Sequence, residues 1–320
     1  MERLDAFMAR ANAAYYATQD PFADFTTAPE ISQVFGELLG LWAAVVWQSM
    51  GAPARVILAE AGPGRGTLMA DALRAISRMV PEFRAALALH LVETSPRLRA
   101  LQAAALPAAE FHAAVEHIPP GPMILLANEF LDALPIRQFV RRGPGWSERF
   151  VVDGRFVELP APPPPLAAGE GEVVEICEPA RAIAAGLGAR LAADGGAALL
   201  LDYGPAASAP GDSLQALRGG RPADALADPG RADLTAHVDF QALAAAAAPA
   251  AVHGPLPQGI FLARLGLFQR SGNLARATPL RAAALMEAAR RLAEPDRMGR
   301  LFKALAICQP GLPVPPGFAA

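Results

Sequence analysis

The sequence predicts an α/β protein built on a doubly wound, mostly parallel sheet. Short apolar runs alternate with helical patterns from Arg55 onward, and this spacing is typical of parallel βαβ units. A glycine-rich turn over residues 62–66 joins the first run to a helical pattern. The chain has 320 residues and 53% hydrophobic content, enough for a sizeable core. Because βαβ crossovers are right-handed, a doubly wound sheet is the simplest topology.

The predicted sheet contains five apolar strands, with helices between the first three. The strands are predicted at residues 55–60, 88–93, 122–129, 197–204 and 302–308, and the two helices at residues 67–79 and 95–104. The run that ends at Asn128 is apolar without interruption, as expected of a strand covered on both faces.

A helical segment is predicted before the sheet. Residues 2–20 have a helical pattern that ends in a polar turn. A second helix is predicted from Thr27 to about Met50, because Thr27 is a favourable N-cap and Glu30 follows it at the capping-box spacing. Gly51 then gives a stop signal. We interpret this N-terminal segment as a lid.

A different pattern interrupts the predicted sheet. Residues 137–159 alternate between polar and apolar positions and contain Gly-Pro-Gly and Asp-Gly turns, which predicts an antiparallel meander, and a proline-rich linker follows. We therefore predict a helical lid at 1–54, a core formed by 55–136 and 173–308, and a meander-and-linker insertion at 137–172. The insertion and later loops are expected to form a substrate-side subdomain.

Charge and cysteine content exclude several classes of protein. A net charge of −3 without a block of like charges gives no electrostatic surface for nucleic acid or an anionic membrane. Cys177 and Cys308 are too few for a disulfide framework or a four-thiolate site, and we predict no bound metal. The longest apolar run, residues 38–47, is too short to cross a bilayer, and the first residues lack a secretory signal. We expect a cytoplasmic protein of a bacterial cell.

The glycine turn restricts the ligand of the predicted sheet. A triphosphate-binding loop requires Gly-Lys-Ser/Thr after four intervening residues, whereas Gly66 follows Arg65 and precedes Thr67. A dinucleotide turn has the spacing Gly-x-Gly-x-x-Gly, and here Gly62, Gly64 and Gly66 are one residue closer. Three interpretations of the glycine turn remain: a methyltransferase turn, a nicotinamide-dinucleotide site and a turn without a ligand. The methyltransferase turn is favoured.

Two acidic residues at the ends of neighbouring strands favour S-adenosylmethionine as the ligand. Glu60 lies just before the glycine turn, where its carboxylate repels pyrophosphate and suits the ammonium and sulfonium groups of that cofactor. Glu93 ends the next strand, where a carboxylate accepts hydrogen bonds from ribose hydroxyls, a feature shared with dinucleotide folds. We therefore predict a Rossmann-like class I methyltransferase core.

Six stretches of the chain resemble the MidA-like, S-adenosylmethionine-dependent methyltransferases. They are DFTTAPEISQVFGELLGLW, EAGPGRGTLMADALRA, LHLVETSPRLRALQ, LLANEFLDALPIRQF, ADPGRADLTAHVDF and PQGIFLARLG. The family includes the mitochondrial complex I assembly factor that methylates an arginine of a complex I subunit. The resemblance implies S-adenosylmethionine as cofactor, segments inserted around the substrate cleft, and a protein arginine as methyl acceptor. By analogy with the mitochondrial factor, this arginine is expected in a subunit of respiratory complex I.

The resemblance also implies further cofactor contacts. Phe111 and His112 stand where the family often has Trp-His, which is compatible with adenosine binding. Thr26 and Glu30, together with Tyr16, belong to the N-terminal segment that is expected to fold over the cofactor. The stretch DPFADFTTAPE is slightly shorter than the usual version, so the lid is expected to differ in shape.

Polar residues after the central strand are the candidates for catalysis. Asn128, Glu129 and Asp132 lie at the carboxyl edge, where open α/β sheets bind ligands. An arginine acceptor is always protonated, so carboxylates must orient one nitrogen and receive its proton. We expect Glu129 and then Asp132 to bind the acceptor, and Asn128 to contact the cofactor. The alternative is that these acids only favour a helix N-terminus.

Four more residues are candidates for the acceptor side. Asp202 and Tyr203 end a strand at the same rim, and His237 and Asp239 share one side of an extended segment. Structural roles are an equal or better alternative for each, and a metal at His237 is disfavoured because further ligands do not cluster there. The expected partner is a protein substrate, and a homodimer is also considered. The functional alternatives are methylation of a small molecule or another side chain, and an assembly chaperone with a vestigial site.

Overall fold

A mixed sheet of seven strands forms the centre of the protein in the computed structural model, which describes residues 1–19, 22 and 26–319. The described strands are β1 Glu2–Arg3, β2 Val56–Ala61, β3 Leu87–Val92, β4 Glu110–His112, β5 Met123–Asn128, β6 Arg137–Arg142, β7 Gly145–Val152, β8 Arg155–Ala161, β9 Val173–Ile176, β10 Gly196–Tyr203, β11 Gln215–Arg218, β12 Arg221–Ala223, β13 Asp233–Thr235, β14 Ala251–Pro257 and β15 Phe302–Cys308. The central sheet has the order β14-β15-β10-β5-β2-β3-β4.

The five predicted strands all belong to this sheet. They are β2, β3, β5, β10 and β15, and the five neighbouring strands from β4 to β10 in the sheet order are joined by four parallel pairings. β15 pairs antiparallel with β10, and β14 pairs antiparallel with β15. The sequence did not predict β4 and β14, because both lie at sheet edges, where the apolar pattern is weak.

Helices cover both faces of the central sheet. The described helices are α1 Leu4–Thr18, α2 Ala28–Ile31, α3 Gln33–Ser49, α4 Thr67–Met79, α5 Pro81–Ala86, α6 Pro96–Ala105, α7 Glu178–Asp194, α8 Phe240–Ala246, α9 Gln258–Arg264, α10 Leu267–Ala277, α11 Ala282–Ala293 and α12 Met298–Leu301. Leu58 of β2 packs in the apolar cluster that contains α3 and α4, whereas its neighbours Ile57 and Ala59 pack with α7 and α8. Among these helices, none has both the length and the apolar character needed to cross a membrane.

The N-terminal segment differs from the prediction at one point. The single helix predicted from Thr27 to Met50 is two helices, because Ser32 is extended at φ −154° and its side chain accepts a hydrogen bond from the Val34 N–H at the start of α3. The predicted capping box does not form. The Thr27 side chain makes no capping bond, and a Glu30 oxygen instead accepts the hydroxyl of Thr67 at 2.5 Å.

A second sheet contains the predicted meander. β6, β7 and β8 are antiparallel neighbours, and β1 pairs with β7. β9 pairs with β6, so the hydrogen bonding of this sheet continues across the predicted domain boundary at residues 172 and 173. The predicted proline-rich linker begins within β8. Apolar side chains of α1 pack with Ile136 and Val151, which places α1 against this sheet and beside the end of β5.

Candidate active site

The predicted glycine turn connects β2 to α4. Gly62, Gly64 and Gly66 all have positive φ, at 66°, 56° and 80°, and the N–H of Gly66 donates to the Pro63 carbonyl at 2.7 Å. A side chain is strained in this left-handed region, whereas glycine is not. The spacing of the three glycines is therefore a backbone requirement of the turn.

A cavity of about 720 Å³ lies beside this turn, at the carboxyl ends of β2, β3 and β5. Its volume is in the range of cofactor sites. Seven of the predicted site residues line it, namely Glu30, Glu60, Gly62, Gly64, Glu93, Asn128 and Glu129. The remaining predicted residues lie elsewhere, namely Thr26, Gly66, Phe111, His112, Asp132, Asp202, Tyr203, His237 and Asp239.

Glu60 presents an unsatisfied acceptor to the cavity. Its carboxylate accepts the N–H of Met69 at the start of α4, but its Oε2 atom is buried and has no hydrogen-bond partner within the described residues. Burial raises the pKa of Glu60 to about 8. The Oδ1 atom of Asn128 is likewise buried and without a partner in that part of the chain. Two free acceptors at one wall fit an ammonium donor, such as that of S-adenosylmethionine.

Glu93 is held at the end of β3 by two donors. The N–H of Ser95 donates to Oε1 at 2.8 Å, and the side-chain amide of Gln102 donates to Oε2 at 3.2 Å. Gln102 also donates to the carbonyl of Gly64 at 2.7 Å, so it fixes the distance between the glycine turn and Glu93. Gln102 was not predicted from the sequence. Its burial and its two hydrogen bonds appear only in the fold, so the sequence held no signal for this role.

The N-terminal segment covers part of the cavity. Tyr16, Phe22, Thr27 and Glu30 line it, and Thr26 is exposed instead of facing it. The guanidinium carbon of Arg65 lies 4.2 Å from the ring centroid of Phe22, directly at the glycine turn. Residues 20, 21 and 23–25 of the expected lid lie outside the described residues. The expected lid contact is thus observed at Glu30 and Tyr16 and is not observed at Thr26.

Phe111 and His112 do not line the cavity. The residues that follow β4 do so instead, from Ala113 to Glu116. His112 belongs to the edge strand, where its carbonyl accepts the N–H of Glu93 at 3.0 Å and its Nε2 atom lies 2.8 Å from Nδ1 of His90. The cavity wall expected at Phe111 and His112 is therefore formed by the segment directly after this pair.

Glu129 has the most unusual backbone of the cavity residues. Its φ of 50° places a non-glycine residue in the left-handed region, which is costly and common at functional sites. Its Oε1 atom accepts the N–H of Ala28 at 2.8 Å and the side-chain amide of Asn128 at 3.0 Å. Burial raises the pKa of Glu129 to about 7. This carboxyl group joins the lid helix α2 to the end of β5 and faces the cavity.

Further acids gather behind Glu129. Burial, followed by the charges of Asp202, Asp233 and Glu129, raises the pKa of Asp132 well above its usual range. Tyr16 donates its hydroxyl to Asp233 at 2.8 Å. Within the described ranges, Glu129, Asp132 and Asp202 take part in no salt bridge. The raised pKa values favour the protonated forms of these acids in the free protein, and a bound cation would favour their carboxylate forms.

Asp202 acts on the backbone of the loop after β5. It is fully buried, and its Oδ2 atom accepts the N–H groups of Phe130, Leu131 and Asp132 at 3.1, 2.8 and 3.3 Å. Its Oδ1 atom accepts the N–H of Tyr203 at 2.9 Å. Asp202 was predicted as a substrate contact, but it does not reach the cavity, and its geometry is that of a residue that positions Glu129 and the loop.

The other predicted acceptor residues also have structural contacts. The Tyr203 hydroxyl donates to Thr235 at 2.6 Å, and Asp239 caps α8 by accepting the N–H of Ala242 at 2.9 Å. His237 and Asp239 line a second cavity of about 990 Å³ that does not include Glu129. The structure thus separates this pair from the carboxylates at the glycine turn.

Comparisons with known proteins agree with this geometry. A family model described as an S-adenosyl-L-methionine-dependent methyltransferase matches residues 38–256. The chain belongs to this family. Protein arginine methyltransferase NDUFAF7, mitochondrial, of Danio rerio is 35% identical and covers 92% of this chain and 79% of its own length. The Mus musculus protein of the same name is 36% identical, over 92% of this chain and 77% of its own length.

A solved structure extends the comparison to the fold and cofactor. A Burkholderia thailandensis protein bound to S-adenosyl-homocysteine superimposes with a TM-score of 0.81 and 26% sequence identity, covering 98% of this chain and 89% of that one. The predicted class I methyltransferase fold and the predicted cofactor are confirmed. This methyltransferase therefore binds S-adenosylmethionine, and the buried acceptors of Glu60 and Asn128, which have no partner within the described residues, are chemically suited to an ammonium group.

Replacement of Gly64 by Val is expected to remove most cofactor binding. A β-branched residue at φ 56° is strained, and even its Cβ atom would lie 2.8 Å from Phe22. Strain of ~2 kcal/mol corresponds to a dissociation constant for S-adenosylhomocysteine about 30-fold higher, measured by calorimetry. Gly51→Val is the matched control, because Gly51 has φ 85° and open space around it. Equal affinities of the two variants would refute this role of the turn.

Proposed function

We propose that this methyltransferase transfers the methyl group to an arginine of a protein. The observation that carries the proposal is the buried carboxyl group of Glu129 at the cavity, which takes part in no salt bridge of the described chain and has the acids Asp132 and Asp202 behind it. A guanidinium group is permanently cationic and binds carboxylates through several donors. The names of the Danio rerio and Mus musculus relatives support the same acceptor.

The proposed mechanism assigns proton transfer to Glu129. When bound, the cofactor supplies an activated methyl group on its sulfonium. Glu129 orients one guanidinium nitrogen and accepts its proton as the N–C bond forms and the C–S bond breaks, leaving S-adenosylhomocysteine. A carboxyl group whose pKa burial raises to about 7 is a suitable base near neutral pH. Asp202 acts indirectly, since it holds the loop in which Asp132 follows Glu129.

The cavity also has an apolar wall suited to an arginine side chain. Ala13 and Ala17 of α1 face it, together with Leu134 and with Pro179 and Ile183 of α7. The methylene groups of arginine pack favourably on such surfaces while the guanidinium group reaches the acids. Because this chain resembles the mitochondrial assembly factor, we propose that the acceptor arginine belongs to a subunit of respiratory complex I. We also propose that the reaction takes place in the cytoplasm of the cell.

Labelled cofactor tests this proposal directly. Purified enzyme is incubated with methyl-labelled S-adenosylmethionine and an extract of cells that lack the gene. We expect label in protein, recovered as methylarginine after hydrolysis, and mass spectrometry locates it on complex I subunits. Gly64→Val protein is the control. Label that enters only small molecules or other side chains would contradict the proposal.

The assembly-chaperone alternative predicts a different result in cells. A chaperone with a vestigial site would restore complex I even when cofactor binding is lost. We expect that the Gly64→Val gene does not restore it, although the variant protein accumulates. Full restoration by Gly64→Val would favour the chaperone.

A further inference from the structure

Two of the five histidines of the chain meet at one edge of the central sheet, and a third lies near them. His90 of β3 and His112 of β4 face each other, with Nδ1 of the first 2.8 Å from Nε2 of the second. Glu110 is paired with His90 in the strand register, and its carboxylate oxygen lies 4.0 Å from the same Nδ1 atom. His117 follows in a short turn and is close enough that its charge lowers the pKa of His112.

Donor atoms of His90, Glu110 and His112 lie close to one another. One ligand atom from each of His90, Glu110 and His112 lies within 4.8 Å of the others. Burial lowers the pKa of both His90 and His112, so the rings are neutral near pH 7, the form that binds metals. Two imidazoles with a carboxylate are a donor set that zinc and similar ions use in proteins.

We propose that His90, His112 and Glu110 form a binding site for a divalent transition-metal ion such as zinc, with solvent completing its coordination. Two nitrogens bound to a tetrahedral zinc ion at about 2.1 Å lie about 3.4 Å apart, so the rings must separate by about half an ångström. His112 lies on the edge strand, where such a shift is easiest. The proton shared by Nδ1 of His90 and Nε2 of His112 moves to the other nitrogen of one of these rings when the metal binds. Neither imidazole therefore has to lose a proton to solvent.

Nearby charges set the strength of the site. The guanidinium group of Arg190 opposes a cation at His90, but it donates to the Ile118 and Pro119 carbonyls, which hold it in place. The Glu110 side chain is 70% exposed and lowers the cost of bringing a divalent ion to the edge. An exposed carboxylate and a half-buried imidazole also leave an entry path from solvent.

The site is connected to the cofactor cavity through β4. His112 is followed directly by the segment from Ala113 to Glu116, which lines the cavity. A metal that joins His90 to His112 ties the three-residue strand β4 to β3 and so fixes the start of that segment. We expect the ion to be structural, and its binding does not depend on the identity of the methyl acceptor.

Cobalt binding tests the proposal with the full chain, after removal of any affinity tag and treatment with a chelator. We expect one equivalent of Co²⁺ to bind, with the visible absorption of a tetrahedral site, and Zn²⁺ to displace it. His112→Gln and Glu110→Gln are expected to weaken binding at least about 10-fold, the scale reported for loss of metal-site contacts. Exposed His237 lies outside the group, so His237→Gln is the matched control.

Circular dichroism shows whether each variant is folded, and a thermal shift with Zn²⁺ gives a second readout. A rise in melting temperature that is lost in Glu110→Gln supports the site. Absence of tetrahedral absorption in the native protein would overturn it, since the histidines would then form only a hydrogen-bonded pair. Equal affinity of His112→Gln and His237→Gln would also overturn it.

Discussion

Replacement of Glu129 by Gln is expected to slow methyl transfer by about 100-fold or more, the usual range for loss of a general base. Glutamine has the same shape, and its carbonyl oxygen can still accept the N–H of Ala28, which Glu129 accepts at 2.8 Å. The lid contact is therefore retained. What is lost is the ability to receive the acceptor's proton, so affinity for S-adenosylhomocysteine should remain close to that of the native protein.

Single-turnover transfer of labelled methyl groups, measured across pH, separates these effects. The native rate should rise as pH increases through about 7, because Glu129 then becomes the carboxylate that accepts a proton. Glu129→Gln should be slow at every pH and should lose this rise. Glu37→Gln is the control, since Glu37 is a buried glutamate outside the cavity that pairs with Arg74 and Arg270. A native rate in Glu129→Gln would exclude Glu129 as the base.

The central sheet and the glycine turn could be predicted because their causes are local. β2 and β5 are mostly apolar, with their polar residues at or next to the carboxyl end, and each is buried along its whole length. The helix that begins at Thr67 was predicted with the observed limits, since Gly66 forces the left-handed turn before it. Glu60 and Glu93 could be placed at the cavity because Glu60 is the penultimate residue of β2 and Glu93 directly follows β3, its neighbour in the sheet.

Other site features depend on contacts that sequence spacing does not show. The capping box predicted at Thr27 and Glu30 was wrong, because the Glu30 carboxylate accepts the hydroxyl of Thr67 instead. His237 and Asp239 were assigned to the acceptor side because they share a strand face. The fold places them in a different cavity, and Asp239 caps α8 there.

The histidine pair illustrates the same limit over a longer distance. His90 and His112 are 22 residues apart, and only the parallel pairing of β3 with β4 brings their rings together. The sequence predicted no bound metal because two cysteines are too few for a four-thiolate site and no further ligands clustered near His237. Ligands on neighbouring strands do not cluster along the sequence, so recognition of such a site requires the register of the sheet.

Binding of S-adenosylhomocysteine is expected to release close to one proton at pH 7, and Glu60 is the source. In the free protein, burial holds the pKa of Glu60 at about 8, so the group is mostly protonated at pH 7. The ammonium group of the ligand favours the carboxylate and lowers this pKa. Below pH 8, affinity should therefore rise about tenfold for each unit of pH, and it should level off above pH 8.

Calorimetry in buffers of different ionisation enthalpy measures the proton directly. Glu60→Gln cannot release it, so its affinity should be weaker at pH 8 and nearly independent of pH. The stability of the free protein should change with pH in the opposite direction to ligand affinity. Because the pKa of Glu60 is higher in the folded than in the unfolded protein, its protonated form contributes stability at low pH, and this contribution is lost as pH rises through about 8. The melting temperature should thus fall between pH 5 and pH 9 in the native protein, and fall less in Glu60→Gln. Proton release that persists in Glu60→Gln would assign it to another acid at the cavity and would remove Glu60 as the ammonium ligand.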